Sequence, residues 1–137
     1  MCKVYIFQAD IYCEACGEAM RADAILGGPD ELPQGPFTCD EADTPLHCGA
    51  CGEFLESPLT SDGLAYAREA VAMRPRHGVA ARVWAPFYGI EVFEVRERRH
   101  PGNPAGPFWS RRDAESWRDA QRAAFPGARY RVVQLNK

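Results

Sequence analysis

Two cysteine pairs constrain this chain more than anything else in it: Cys13-Glu14-Ala15-Cys16-Gly17 and Cys48-Gly49-Ala50-Cys51-Gly52. Each is a C-x2-C followed by glycine, the shape of a knuckle in which two thiolates of one tight turn reach the same ion. The glycine fits because the chain must turn back sharply while backbone N–H groups face the sulfurs, and a residue without Cβ does this cheaply. Together the hooks supply four sulfurs, Cys13, Cys16, Cys48 and Cys51. That is a closed tetrahedral set, suited to a structural Zn2+; a catalytic zinc would keep one position open.

Other readings use the same residues. A thioredoxin-like redox pair describes Cys13 and Cys16 locally but leaves the second hook unexplained. Residues 1–12 lack the charged-then-apolar order of a secretory signal, so the expectation is a cytoplasmic protein whose thiols stay reduced. A rubredoxin-like iron site uses four cysteine sulfurs too, and spacing does not separate iron from zinc. Cys2, Cys39 and His47 are candidate substitute ligands. Since the hook sulfurs already complete a shell, Cys2 and Cys39 are expected as free thiols. The gap between the hooks is longer than ribbon spacing, so an insertion over 27–46 must loop out.

A length of 137 residues allows one domain or two very small ones. No apolar run approaches the roughly 18 residues of a bilayer span. The net charge of −3 hides a division: residues 1–70 carry 3 Lys/Arg against 13 Asp/Glu, and residues 71–137 carry 13 against 6. Opposite fields at two ends favour mutual docking of the halves or a partner that senses both.

In chain order, residues 3–12 read as one β-strand leading into the first hook, and residues 18–26 as a short helix stopped by Gly27-Gly28-Pro29. Residues 29–45 are acidic and turn-forming, hence a surface loop. Phe54 and Leu55 supply apolar cover for a metal turn. Thr60 or Ser61 caps a helix over 62–73 with Leu64, Ala67 and Val71 on one face. A second helix over 79–85 brings Val79, Val83 and Trp84 near Phe87 and Tyr88 as core. Beyond residue 89, a strand over 90–98, a turn over 100–106, a short strand at Phe108-Trp109, a helix opened by Ser110 and a strand over 129–135 give the order β-β-α-β.

The fold class expected is therefore α+β, a zinc-ribbon-like four-cysteine knuckle module with short helices followed by a small sheet-and-helix module. The domains are 1–88, acidic, and 89–137, basic and packed on it.

The arginines of the basic part form two groups. Arg111, Arg118 and Arg122 fall on one face of the predicted helix. Arg96, Arg98, Arg129 and Arg131 share the sheet face opposite it if their strands neighbour each other. They read either as phosphate-binding stripes or as solvated outer faces, since Glu94, Glu97, Glu115 and Asp119 interleave with them. Catalysis has thin support: the acid-rich loop offers paired carboxylates for an enzyme as a third reading, but His47, His77 and His100 are scattered, and no nucleophile elbow, phosphate loop or H-E-x-x-H occurs.

The paired hooks, the Pro33-Gln34-Gly35-Pro36 turn in its acidic insert, and the run from His47 through Cys51-Gly52-Glu53-Phe54-Leu55-Glu56-Ser57-Pro58-Leu59-Thr60 to Gly63 resemble a family of small uncharacterised phage and mobile-element proteins. The likeness covers about residues 3–90. It implies Cys13, Cys16, Cys48 and Cys51 as metal ligands and no catalytic role. By association, it implies a phage accessory protein that binds and disables host machinery, CRISPR complexes included, in the host cytoplasm. The expected function is a non-catalytic, zinc-stabilised protein-binding module acting on a host protein or protein–nucleic-acid complex. The alternative is a nucleic-acid binder using the seven tail arginines.

Overall fold

A tight hairpin opens the chain in the computed structural model, which describes residues 2–23 and 32–137. β1 (Lys3–Phe7) and β2 (Asp10–Cys13) pair antiparallel, where the sequence predicts one strand over 3–12. The two-residue turn places Gln8 at φ 49° and Ala9 at φ 62°. Two successive positive φ values match the right-handed twist of a hairpin, and they normally call for Asn or Gly. Neither residue signals a turn, so the pairing of Val4 with Cys13 and Ile6 with Ile11 sets the reversal.

The structure also corrects the loop expected over 27–46 in its described part. β3 (Gln34–Thr38) joins β1 to complete a sheet of order β2-β1-β3. Its Pro36 is tolerated because β3 is an edge strand, where a missing donor costs no ladder bond. The acidic stretch that follows is tied down as well. Ala42 N–H donates to Pro58 O at 3.0 Å, Thr60 N–H to Ala42 O at 3.0 Å, and the Thr60 hydroxyl to Asp43 Oδ1 at 2.7 Å. The stop expected at Gly27-Gly28-Pro29 lies outside the described residues.

α1 (Glu14–Asp23) follows β2 without a break, and α2 (Ser61–Met73) is capped by Thr60, whose Oγ1 accepts from Gly63 N–H at 3.0 Å. A π-helical turn (Ala80–Trp84) then runs into the short α3 (Ala85–Tyr88). Trp84 is buried as expected, while Phe87 stays half exposed and packs edge-on to Tyr88 at 4.9 Å between ring centres.

β4 (Phe93–Glu97), β5 (His100–Phe108), α4 (Arg111–Ala124) and β6 (Tyr130–Gln134) follow, with sheet order β5-β4-β6. The β-β-α-β order stands, but residues 100–106 are strand where their Pro and Gly content predicts a turn. β5 is an edge strand and its register with β4 shifts twice, which accommodates Pro101 and Pro104. Ser110 caps α4 by accepting from Asp113 N–H at 3.1 Å. Phe93, Val95 and Ala114 are the buried centre of this part, with Phe108, Trp117, Tyr130 and Val132 around them.

The chain divides into two compact units, Met1–Tyr66 and Ala67–Lys137, so the expected boundary at 88/89 falls inside the second. Residues 67–88 belong there by their bonds: Ile90 N–H donates to Ala85 O, and Arg76 Nε to Leu135 O at 3.0 Å. Among the described residues no helix is long and apolar enough to cross a membrane.

Candidate metal centre

Cys13 closes β2 and Cys16 lies in the first turn of α1, so the first hook is a strand-to-helix junction. Cys16 N–H points at Cys13 Sγ, 3.4 Å away, as the third amide of a helix points at its cap. The second hook is the tip of an irregular hairpin. Leu55 N–H donates to Leu46 O at 2.9 Å, Cys48 N–H to Glu53 O at 2.8 Å, and Gly52 N–H to Cys48 O at 2.9 Å. Gly49 N–H donates to Ile11 O at 2.8 Å, which ties this tip to β2.

The four cysteine sulfurs converge: Sγ of Cys13, Cys16, Cys48 and Cys51 all lie within 4.8 Å of one another. Cys13 Sγ and Cys51 Sγ, from different hooks, are 3.8 Å apart. A tetrahedron with metal–sulfur bonds of about 2.3 Å has edges of about 3.8 Å, so the donor set fits a thiolate-bound ion in both chemistry and size. Ferrous iron fits the same sulfurs. Cys13 and Cys48 are buried, Cys16 is half-buried and Cys51 exposed. Leu55 is buried beside them with Val4, and Phe54 is half-buried, as the apolar cover predicts.

The two hook glycines have different reasons. Gly52 sits at φ 77°, where a side chain is strained and the tight turn requires glycine. Gly17, expected in the same role, is buried within α1, and a methyl there would overlap the Tyr5 ring. It allows α1 to approach β1.

Crowding of thiols sets their proton affinities. Hydrogen bonding to Cys13 and then to Cys51 pushes the Cys16 thiol up to about 12. At Cys48 burial disfavours the thiolate, but the backbone N–H groups of Cys51, Cys13 and Ala50 outweigh it and bring the pKa down to about 6. One sulfur is thus prepared as an anion, and an ion must displace protons from Cys13 and Cys16, whose thiols are pushed up.

The remaining candidates fall elsewhere. His47 Nδ1 lies 3.0 Å from Gly52 O and its ring packs on Phe54, so it braces the second hook. Cys2 and Cys39 are bonded to each other, which corrects the expectation of free thiols. Pairing of Lys3 with Thr38, and donation from Cys39 N–H to Cys2 O at 3.1 Å, bring the two Cα atoms to 5.4 Å, within disulfide reach. Only knowledge of β3 reveals this, and β3 carries no strand signal.

The seven arginines separate. Arg118 Nε is 3.1 Å from Asp119 Oδ1, and Arg122 reaches both Asp119 and Tyr130 O. Arg111 lies over the Phe93 ring at 5.1 Å. Arg96, Arg98, Arg129 and Arg131 are brought together on the other face of the sheet. His77 and His100 lie in the second unit, outside the cysteine cluster.

No family model matches this chain, and neither the curated proteins nor the solved structures compared with it contain a match.

Proposed function

We propose that this protein is a non-catalytic binding module whose acidic first unit is held in shape by a structural zinc ion, a variant of the zinc ribbon. The convergence of four sulfurs within 4.8 Å supports it. Those sulfurs fill a tetrahedral shell, leave no position for a substrate, and join two hooks separated by more than thirty residues of chain. Binding energy at such a site is folding energy.

The partner class follows from charge. Twelve acidic residues against two basic ones in Met1–Tyr66 suit a basic groove on another protein or protein–nucleic-acid complex. A phage-type inhibitor of host defence machinery is one setting for such a surface, on the resemblance of the hook segments.

Elemental analysis tests the metal: one zinc per chain is expected in the native protein and about a quarter of a site or less in Cys16→Ser, because three thiolates form an incomplete structural shell. Metal-free native protein with cooperative unfolding would sink the proposal. For the partner, neutralising Asp40, Glu41 and Asp43 to their amides is expected to slow association with a basic partner and flatten its salt dependence. Unchanged association would remove the acidic surface from the reading.

A further inference from the structure

Four arginines of the second unit line one open cavity of about 520 Å3, together with Glu97, Pro101 and Tyr130. Their convergence is a consequence of register. Phe93 and Val95 of β4 face α4 with Ala114, so Arg96 and Arg98 face away from it. On β6, Tyr130 and Val132 pack against that core, so Arg129 and Arg131 point to the same side as the β4 pair. Arg96 stands directly across from Arg131, and Arg98 N–H donates to Arg129 O at 2.9 Å.

Like charges placed opposite each other across a ladder are destabilising. The unit has acidic residues that would relieve this, yet Asp119 is engaged on α4 by Arg118 and Arg122. Arg96 is the one cavity arginine with an acidic partner among the described residues, Glu94 at 3.1 Å. Among the described residues, the side chains of Arg98, Arg129 and Arg131 are exposed and make no ion pair or hydrogen bond. Three unpaired guanidiniums around one concavity form a donor array complementary to phosphoryl oxygens, which planar forks bind in pairs. Pro101 of β5 gives it an apolar edge. Its volume lies within the roughly 300–1,000 Å3 of small-ligand sites.

We infer that the cavity on the outer face of the β5-β4-β6 sheet binds the phosphate groups of a nucleotide, with Arg98, Arg129 and Arg131 as the charge-bearing ligands. The nucleotide is either a free nucleoside polyphosphate or a unit of a single nucleic-acid strand; the chemistry at the arginines is shared. Arg111, Arg118 and Arg122 are outside this site, because each is already held by Phe93, Asp119 or Tyr130. The inference concerns the second unit and stands apart from the metal reading.

The test uses the full chain with two probes, a fluorescent oligothymidylate of about 20 nucleotides by anisotropy and ATP by calorimetric titration. If the three unpaired arginines each neutralise a phosphate, affinity for the strand should fall roughly 20-fold between about 50 and 200 mM salt. In Arg129→Gln/Arg131→Gln that fall should shrink to roughly 3-fold, since two of the three contacts are gone. Arg82→Gln/Arg112→Gln removes two exposed charges elsewhere and should bind as the parent does. Arg98→Gln, which leaves β6 untouched, provides a second variant, and far-UV circular dichroism confirms the fold of each. Saturable binding of ATP that is lost in Arg129→Gln/Arg131→Gln assigns the site to free nucleotides. Strand binding without ATP binding assigns it to nucleic acid. Absence of both at low salt overturns the inference, as does an equal loss in Arg82→Gln/Arg112→Gln.

Discussion

Gly17 and Gly52 occupy the same place in two identical motifs, yet a methyl group would be resisted for different reasons. At Gly52 the backbone is left-handed; at Gly17 the Tyr5 ring fills the space. Gly17→Ala is expected to destabilise the first unit by about 1–3 kcal/mol through overpacking. Gly102→Ala, which meets nothing nearby, should stay within about 0.5 kcal/mol on a surface strand. Urea unfolding reads both, and equal effects would refute the packing argument. Cys2 and Cys39, separated by 37 positions, close a loop whose entropy is worth about 3–4 kcal/mol in the unfolded chain. Cys2→Ser/Cys39→Ser should lose stability of that order under oxidising conditions while keeping its metal content. Loss of the metal instead would place these sulfurs in the ion's shell. The motif glycines and cysteines were legible from sequence as to type and spacing. Which cysteine meets which, and what each glycine avoids, depends on residues far along the chain.

Among the elements, those with local signals came through. α2 begins at its Thr60 cap, and α4 begins at Ser110, because a hydroxyl that satisfies an orphan amide acts within three residues. β3 and β5 were hidden by Pro and Gly, which local rules assign to turns. Both are edge strands, and an edge tolerates missing donors on its outer side. The β1–β2 turn was hidden in the opposite way, since Gln8 and Ala9 carry no turn signal. Replacing them by Asn and Gly is expected to stabilise the hairpin by about 1 kcal/mol, relieving two left-handed non-glycine residues at some cost in unfolded-state entropy. A thermal or urea midpoint that moves down would show that the native turn is not under strain.

For the whole molecule, charge and cores divide together. The first unit is acidic and built around the cysteine cluster with Val4 and Leu55; the second is basic and built around Phe93 and Val95. If the cysteine cluster holds an ion, chelation should release amides of β1 and β2 to rapid hydrogen exchange while β4 and β6 stay protected, because the four clustered cysteines all belong to the first unit. Simultaneous loss of protection in both sheets would contradict separate cores, and protection unchanged in both would remove the metal from the folding of the first. Sequence alone determined the cysteine spacing, the helix caps, the charge asymmetry and the alternation of arginines on two strands, all set by neighbours within a few residues. Tertiary structure decided the pairing of Cys2 with Cys39, the strands made from Pro- and Gly-rich segments, and which arginines keep a free guanidinium. Those outcomes follow from pairings between distant segments, whose register and company no local pattern records.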